Sequence, residues 1–237
     1  MGVHKGTRHA LLAGVVASVC VWQSAVAQPN PSGARVAMTP IGWRTRVDAA
    51  GNVLGDKGAG ERGNRYPDAR AGDTLAFTSM TPGFHITTGP GTVLWHPDST
   101  AQGSYAITSS IFLFPTQGRD REGYGVFIGG QQLDGAGQRY TYFLLRNDGK
   151  FLVKRREGDA TTTLKDWTYL TAIKLVKGKE PRQNDITVTA GPQTVTFLVN
   201  GKEAVTLPRD QVAPDGVFGL RVNHALSVHV TKLSRAG

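Results

Sequence analysis

The chain has 237 residues, a formal net charge of +9 and a single cysteine, Cys20. One cysteine excludes an internal disulfide framework and a thiolate metal cluster, and a chain of this length buries about 70% of its unfolded surface without such staples. The basic residues are spread along the sequence with one tight cluster, Lys154-Arg155-Arg156. That spread argues against a nucleic-acid recognition helix or basic arm, and it leaves polyanionic envelope polymers as charge-matched partners.

The first segment reads as an export peptide, 1–27. Lys5 and Arg8 form a short cationic head, residues 10–22 are apolar apart from Ser18, and Ala25-Val26-Ala27 supplies small residues for cleavage before Gln28. The apolar run is too short to span about 30 Å of hydrocarbon, and no later stretch approaches the ~20 apolar residues of a membrane helix. Cleavage removes Cys20 and lowers the formal charge by two, to +7. The mature protein is therefore expected in the periplasm or outside the cell, without a membrane span. Residues 28–72 are rich in Gly, Ala, Asn, Arg and Asp and poor in large apolar side chains, so they read as a partly ordered extension. Its one expected element is a short strand around Ile41 to Val47, added to a sheet edge.

From residue 73 to 237 the chain reads as one domain of short strands between turns. Tyr105, Ile107, Ile111 and Leu113 share one face of a long alternating run, and Tyr124, Val126 and Ile128 alternate with Gly125, Phe127 and Gly129. Tyr140 to Arg146 and Phe151 to Arg156 flank Asn147-Asp148-Gly149-Lys150, a hairpin signal. Asn200-Gly201 repeats the device between Val195–Val199 and Lys202–Leu207, and Val217–Val222 with Ser227–Leu233 makes a final pair. No segment shows an apolar period of 3.6 over ten or more positions. Strands recurring every 8–12 residues or so without intervening helices define an all-β, antiparallel β-sandwich.

The run Thr194-Val195-Thr196-Phe197-Leu198-Val199-Asn200-Gly201-Lys202-Glu203 resembles the late hairpin of concanavalin A-like and laminin-G-like sandwiches. Asp215-Gly216-Val217-Phe218-Gly219-Leu220-Arg221 and Val228 to Leu233 stand where those domains carry their last two strands. The order is also similar to secreted bacterial domains associated with 3-keto-disaccharide hydrolases. The resemblance covers about residues 80 to 234 and implies a jelly-roll, concanavalin A-like fold. It carries over no functional residue, and the architecture serves lectins, glycanases and adhesion modules alike. The E-x-D-x-x-E strand of laminarinase-type relatives is missing, since Asp120, Glu122, Asp134 and Asp148 stand apart.

Glycoside hydrolysis needs two carboxyls on either side of the scissile bond. Asp148 in Asn-Asp-Gly and Asp134 before Gly135 equally fit ordinary turns, which leaves Glu122 as the candidate catalytic carboxylate. His85, His96, His224 and His229 show no HxH or HxxxH spacing, so no metal site is expected, and no cofactor motif occurs. The most informative strand is Arg139 to Arg146. Alternation puts Tyr140, Tyr142, Leu144 and Arg146 on one face and Thr141, Phe143 and Leu145 on the other, which reads as core. Rings stack on sugars while Arg and Asn bind hydroxyls, so Arg139, Tyr140, Tyr142 and Arg146 are candidate ligand-binding residues. Trp95, His96, Arg155, Asn223 and His224 join them as candidate contributors. The tyrosines equally fit half-buried sheet positions with their hydroxyls at the rim. Three functions follow: a secreted binder of a carbohydrate or related polyol, a hydrolase of glycosides or 3-keto-glycosides, or a non-catalytic adhesion domain for an envelope polymer or protein.

Overall fold

The computed structural model describes residues 1–2, 39–47, 75–89 and 91–236. The export peptide beyond Gly2, and the 28–72 extension apart from residues 39–47, lie outside them. The described strands form two seven-stranded antiparallel sheets. The first has the order β1 (Arg44–Val47), β4 (Thr92–Ala101), β13 (Gly216–Val222), β6 (Gly123–Gln131), β7 (Arg139–Arg146), β8 (Lys150–Glu157) and β9 (Ala160–Tyr169). The second runs β12 (Lys202–Pro208), β11 (Thr194–Val199), β10 (Arg182–Ala190), β5 (Tyr105–Leu113), β14 (Ser227–Ala236), β3 (Phe84–Thr87) and β2 (Ala76–Ser79). A single helical turn, α1 (Arg209–Val212), links β12 to β13. The strand expected around Ile41 to Val47 is β1, an edge strand paired with β4.

Turn chemistry sets the hairpins. Asn200 and Gly201 both take positive φ, 50° and 77°, between β11 and β12. That backbone matches the right-handed twist of the strands it joins, and Asn and Gly adopt it at least cost. Alternation does the rest. Tyr124, Val126 and Ile128 of β6, Phe143 and Leu145 of β7, and Phe151 and Val153 of β8 turn inward. They meet Ile107, Ile111 and Leu113 of β5, Ile186 and Val188 of β10, and Phe197 of β11. Phe143 joins the two layers: its ring centroid lies 5.7 Å from Phe151 in its own sheet and 5.1 Å from Phe197 in the other.

One polar side chain enters this core and fixes a loop. Asn184 is fully buried on β10 and donates to the Tyr124 hydroxyl at 2.9 Å and to the Lys174 carbonyl at 3.0 Å. Its amide oxygen accepts from the Lys174 N–H at 2.9 Å and from Asn200 Nδ2 at 2.8 Å. A buried amide satisfied this fully holds its neighbours in register. Here it pins residues 170–181, between β9 and β10, to the end of the sandwich. Burial also raises the pKa of the Tyr124 hydroxyl, keeping it neutral.

On the outer side of the second sheet, His85 of β3 and His229 of β14 are cross-strand partners with centroids 6.2 Å apart. His229 donates from Nε2 to the Pro82 carbonyl at 2.9 Å, and Phe112 packs beside it. Its Nδ1 is buried without a hydrogen-bond partner, so a proton added there would be an unsatisfied donor. Burial lowers the His229 pKa, partly opposed by the bond to Pro82. A depressed imidazole stabilises the fold while it is neutral and loses that contribution as pH falls below about 6.5, the unfolded value. The urea midpoint is therefore expected to drop between pH 7.5 and 5.5 or so, and His229→Gln to flatten that dependence. An unchanged slope in the variant would show that other groups set it.

Candidate functional site

The outer face of the first sheet carries a second buried cluster: Val93, Trp95, Phe127, Leu133, Tyr140, Tyr142, Leu144 and Leu152, with Trp167 and Val217 against it. Strand register arranges this face in rows. One row crosses Arg44, Trp95, Gly219, Phe127, Tyr142, Lys154 and Thr163. The next crosses Val93, Arg221, Gly125, Leu144 and Leu152. The last begins at Asn223, whose N–H donates to the Gly123 carbonyl, and continues to Arg146 opposite Gly123. Across the hairpin tip it ends at Lys150 opposite Tyr169. Glycine is needed in the middle of this face. A Cβ at Gly219 would run into the Leu94 carbonyl oxygen and the Phe127 ring, so any side chain there would push the aromatic layer off the sheet.

Cations lie on the rings. The Arg221 guanidinium sits 4.6 Å over Tyr142 and donates to the Tyr140 hydroxyl at 2.8 Å. The Arg146 guanidinium sits 4.3 Å over Trp167 and donates to Asp148 at 2.8 Å. Lys150 Nζ sits 5.0 Å over Tyr169. Planar guanidinium is weakly hydrated and stacks, which makes its near-burial on an aromatic face tolerable.

Exposure divides the face. Tyr140, Tyr142 and Trp95 are at most 3% exposed, so their rings form a packed layer. At the other end Trp167 is half-buried and Tyr169 is 72% exposed. The accessible platform is thus at β9, beside Arg146, Asp148 and Lys150. Asp148 Oδ1 is buried there without a donor, so this end of the face is not saturated by the protein's own hydrogen bonds. Asn223 Oδ1, also without one, lies at the other end of the row, after β13.

Of the residues expected from sequence, Trp95, Tyr140, Tyr142, Arg146 and Asn223 share this face. The others lie off it. His96 falls on the opposite side of β4 from Trp95, with Trp43 at 6.5 Å and Asp98 at 3.8 Å. Arg139 is exposed at the start of β7, opposite in parity to Tyr140. Arg155 turns toward α1, near the Asp210 and Gln211 carbonyls at 3.4 and 3.3 Å, and pairs with Glu157 at 2.7 Å. Glu122 is 8% exposed and stands 3.6 Å from His224 Nδ1, where β6 begins and the loop after β13 returns. Its partner is an imidazole, whereas glycoside chemistry calls for a second carboxyl about 5–9.5 Å away. Trp167, Tyr169 and Arg221 were not singled out as site residues by sequence, and Lys154 only as part of the basic cluster.

Among the described residues no group of three or more His, Cys, Asp or Glu is placed to hold a metal ion, and no helix is long and apolar enough to cross a membrane.

No protein-family model matches the chain, and no curated protein matches it. Among solved structures, the carbohydrate-binding module CBM66 from Bacillus subtilis superposes with a TM-score of 0.54, at 12% identity over 69% of this chain and 92% of that one. Sheep galectin-11, in complex with glycerol, gives 0.43 at 13% identity over 63% and 98%. The carbohydrate recognition domain of Emp46p gives 0.48 at 14% identity over 67% and 84%. The first likeness is one of fold, a two-sheet antiparallel β-sandwich. At these identities a ligand does not follow from the fold, and the two lower scores add no argument.

Proposed function

We propose that the protein is a carbohydrate-binding sandwich whose binding surface is the β9 end of the outer face of the first sheet. The observation that carries this is the pair of accessible rings, Trp167 and Tyr169, set beside Arg146, Lys150 and Asp148. A sugar ring offers C–H faces to aromatic side chains and hydroxyls to charged and amide groups, and the site supplies both. A hydroxyl donor from such a ligand matches the Asp148 oxygen that the protein leaves without a partner. The amino-terminal export pattern supports delivery to the periplasm or the cell exterior, where glycans are met.

Affinity electrophoresis of the exported protein through gels cast with polysaccharides tests the reading. Retardation that persists from low to moderate salt is expected, because stacking and hydrogen bonds at a partly desolvated site are screened little. Retardation by no polysaccharide, with binding instead to envelope proteins, would replace this reading with the adhesion one. Turnover of glycosides or 3-keto-glycosides that is lost in Glu122→Gln would replace it with the hydrolase one.

A further inference from the structure

We propose that the ligand is an acidic glycan, whose carboxylates or sulfates are held by lysines beside the Tyr169 platform. This rests on the carbohydrate reading and narrows its substrate class. The loop after β9 reads Leu170-Thr171-Ala172-Ile173-Lys174-Leu175-Val176-Lys177-Gly178-Lys179-Glu180, three lysines to one acid. Lys174, Lys177 and Lys179 are exposed, and Lys150 next to them is half-exposed.

The loop is built in, not draped. Asn147, at the β7–β8 hairpin tip, accepts from the Val176 N–H at 2.8 Å and donates back to the Val176 carbonyl at 3.3 Å. The Leu170 N–H donates to the Gly149 carbonyl at 3.0 Å, and Lys174 has its backbone N–H and carbonyl bound by Asn184. Asn147 is itself held by Asp120, whose carboxyl is kept below the usual range by hydrogen bonds from Asn147 and Thr116. Gly149 is where the pieces meet: a Cβ there would stand 3.5 Å from the Tyr169 ring and 4.0 Å from Leu175. Tyr169 and the loop therefore share one support, with the backbone fixed at Leu170, Lys174 and Val176.

A fixed cluster of like charges repels itself and raises the local concentration of counter-ions. The nearby acids offset it only in part. Asp148 is engaged by Arg146. Asp120, held ionised by the neutral Asn147 and Thr116, stands with exposed Glu180 and Asp166 against Lys150, Lys174, Lys177 and Lys179. A polymer carrying a regular negative charge on sugar rings matches both halves of the surface, rings on Trp167 and Tyr169, anions on the lysines. Single-stranded nucleic acid would also set phosphates on cations and bases on rings; the amino-terminal export pattern favours a glycan over it.

Binding of the full chain to polygalacturonate, an acidic polymer, is compared with binding to dextran, a neutral one, by isothermal titration at low salt. Polygalacturonate is expected to bind about tenfold tighter or more, as three exposed ion contacts each contribute a factor of about two to five. The triple change Lys174→Gln, Lys177→Gln, Lys179→Gln is expected to remove that preference while thermal unfolding stays unchanged. Lys232→Gln, on the second sheet, is expected to leave it intact, which separates a site from net charge. Equal binding of both polymers, or a triple variant indistinguishable from wild type, overturns the acidic assignment while the carbohydrate reading stands. Binding of neither polymer, nor of any other glycan tested, overturns both.

Discussion

Phe143→Ala is expected to destabilise the protein by about 3–5 kcal/mol, the range for removing a large aromatic side chain from a packed core. Phe143 is wholly buried and contacts rings from both layers, Phe151 at 5.7 Å and Phe197 at 5.1 Å. Its truncation opens a void at the middle of the interface that neither ring can fill without leaving its own sheet. The strands around it are held by register on both sides, Val126 on β6 and Val153 on β8, so collapse into the void is resisted. In thermal unfolding this corresponds to a fall of roughly 6–20 °C for a chain of this size. In urea the midpoint should fall with the slope unchanged. A loss below about 1 kcal/mol would mean that the two layers do not share this contact.

Trp167→Ala is expected to weaken glycan binding by about tenfold or more, or about 1.4 kcal/mol, with a far smaller effect on folding. Trp167 lies on β9, an edge strand with a neighbour on one side only, and its ring is the surface on which Arg146 rests. Losing the ring removes the stacking platform and one support of the Arg146 guanidinium, which also pairs with Asp148 at 2.8 Å. Trp167→Phe retains a flat ring and is expected to recover part of the affinity. Titration of both variants with the glycan that wild type binds best checks this. Wild-type affinity in Trp167→Ala would move the site elsewhere on the molecule.

The sandwich was legible because its signals are local. Asn200-Gly201 and Asn147-Asp148-Gly149 mark reversals wherever they stand, and alternation on β7 sorts Phe143 and Leu145 inward from Tyr140 and Tyr142 without knowledge of any neighbour. β9 was not legible. Ala160-Thr161-Thr162-Thr163-Leu164-Lys165-Asp166-Trp167-Thr168-Tyr169 is an edge strand with an irregular register against β8, so no apolar alternation survives in it. The accessible rings of the site were hidden for that reason. The aromatic face was read from one strand, and its partners depend on register across five others, which bulges shift between β4 and β13 and between β6 and β7. Adjacent strand residues face opposite sides, so Trp95 and His96 could not both belong to one face, but parity does not say which side carries the site. The depth at which Tyr140 and Tyr142 are packed is a tertiary property and has no mark in the sequence.

Hydrogen exchange of the full chain, with and without a saturating amount of the tightest-binding glycan, tests the location of the binding surface most directly. Slowed exchange is expected in residues 160–169, in the 147–149 hairpin tip and in the 170–180 loop, with the second sheet unchanged. Protection confined to β5, β10 and β11, with β9 exchanging as in the free protein, would contradict the assignment of sugar binding to the first sheet.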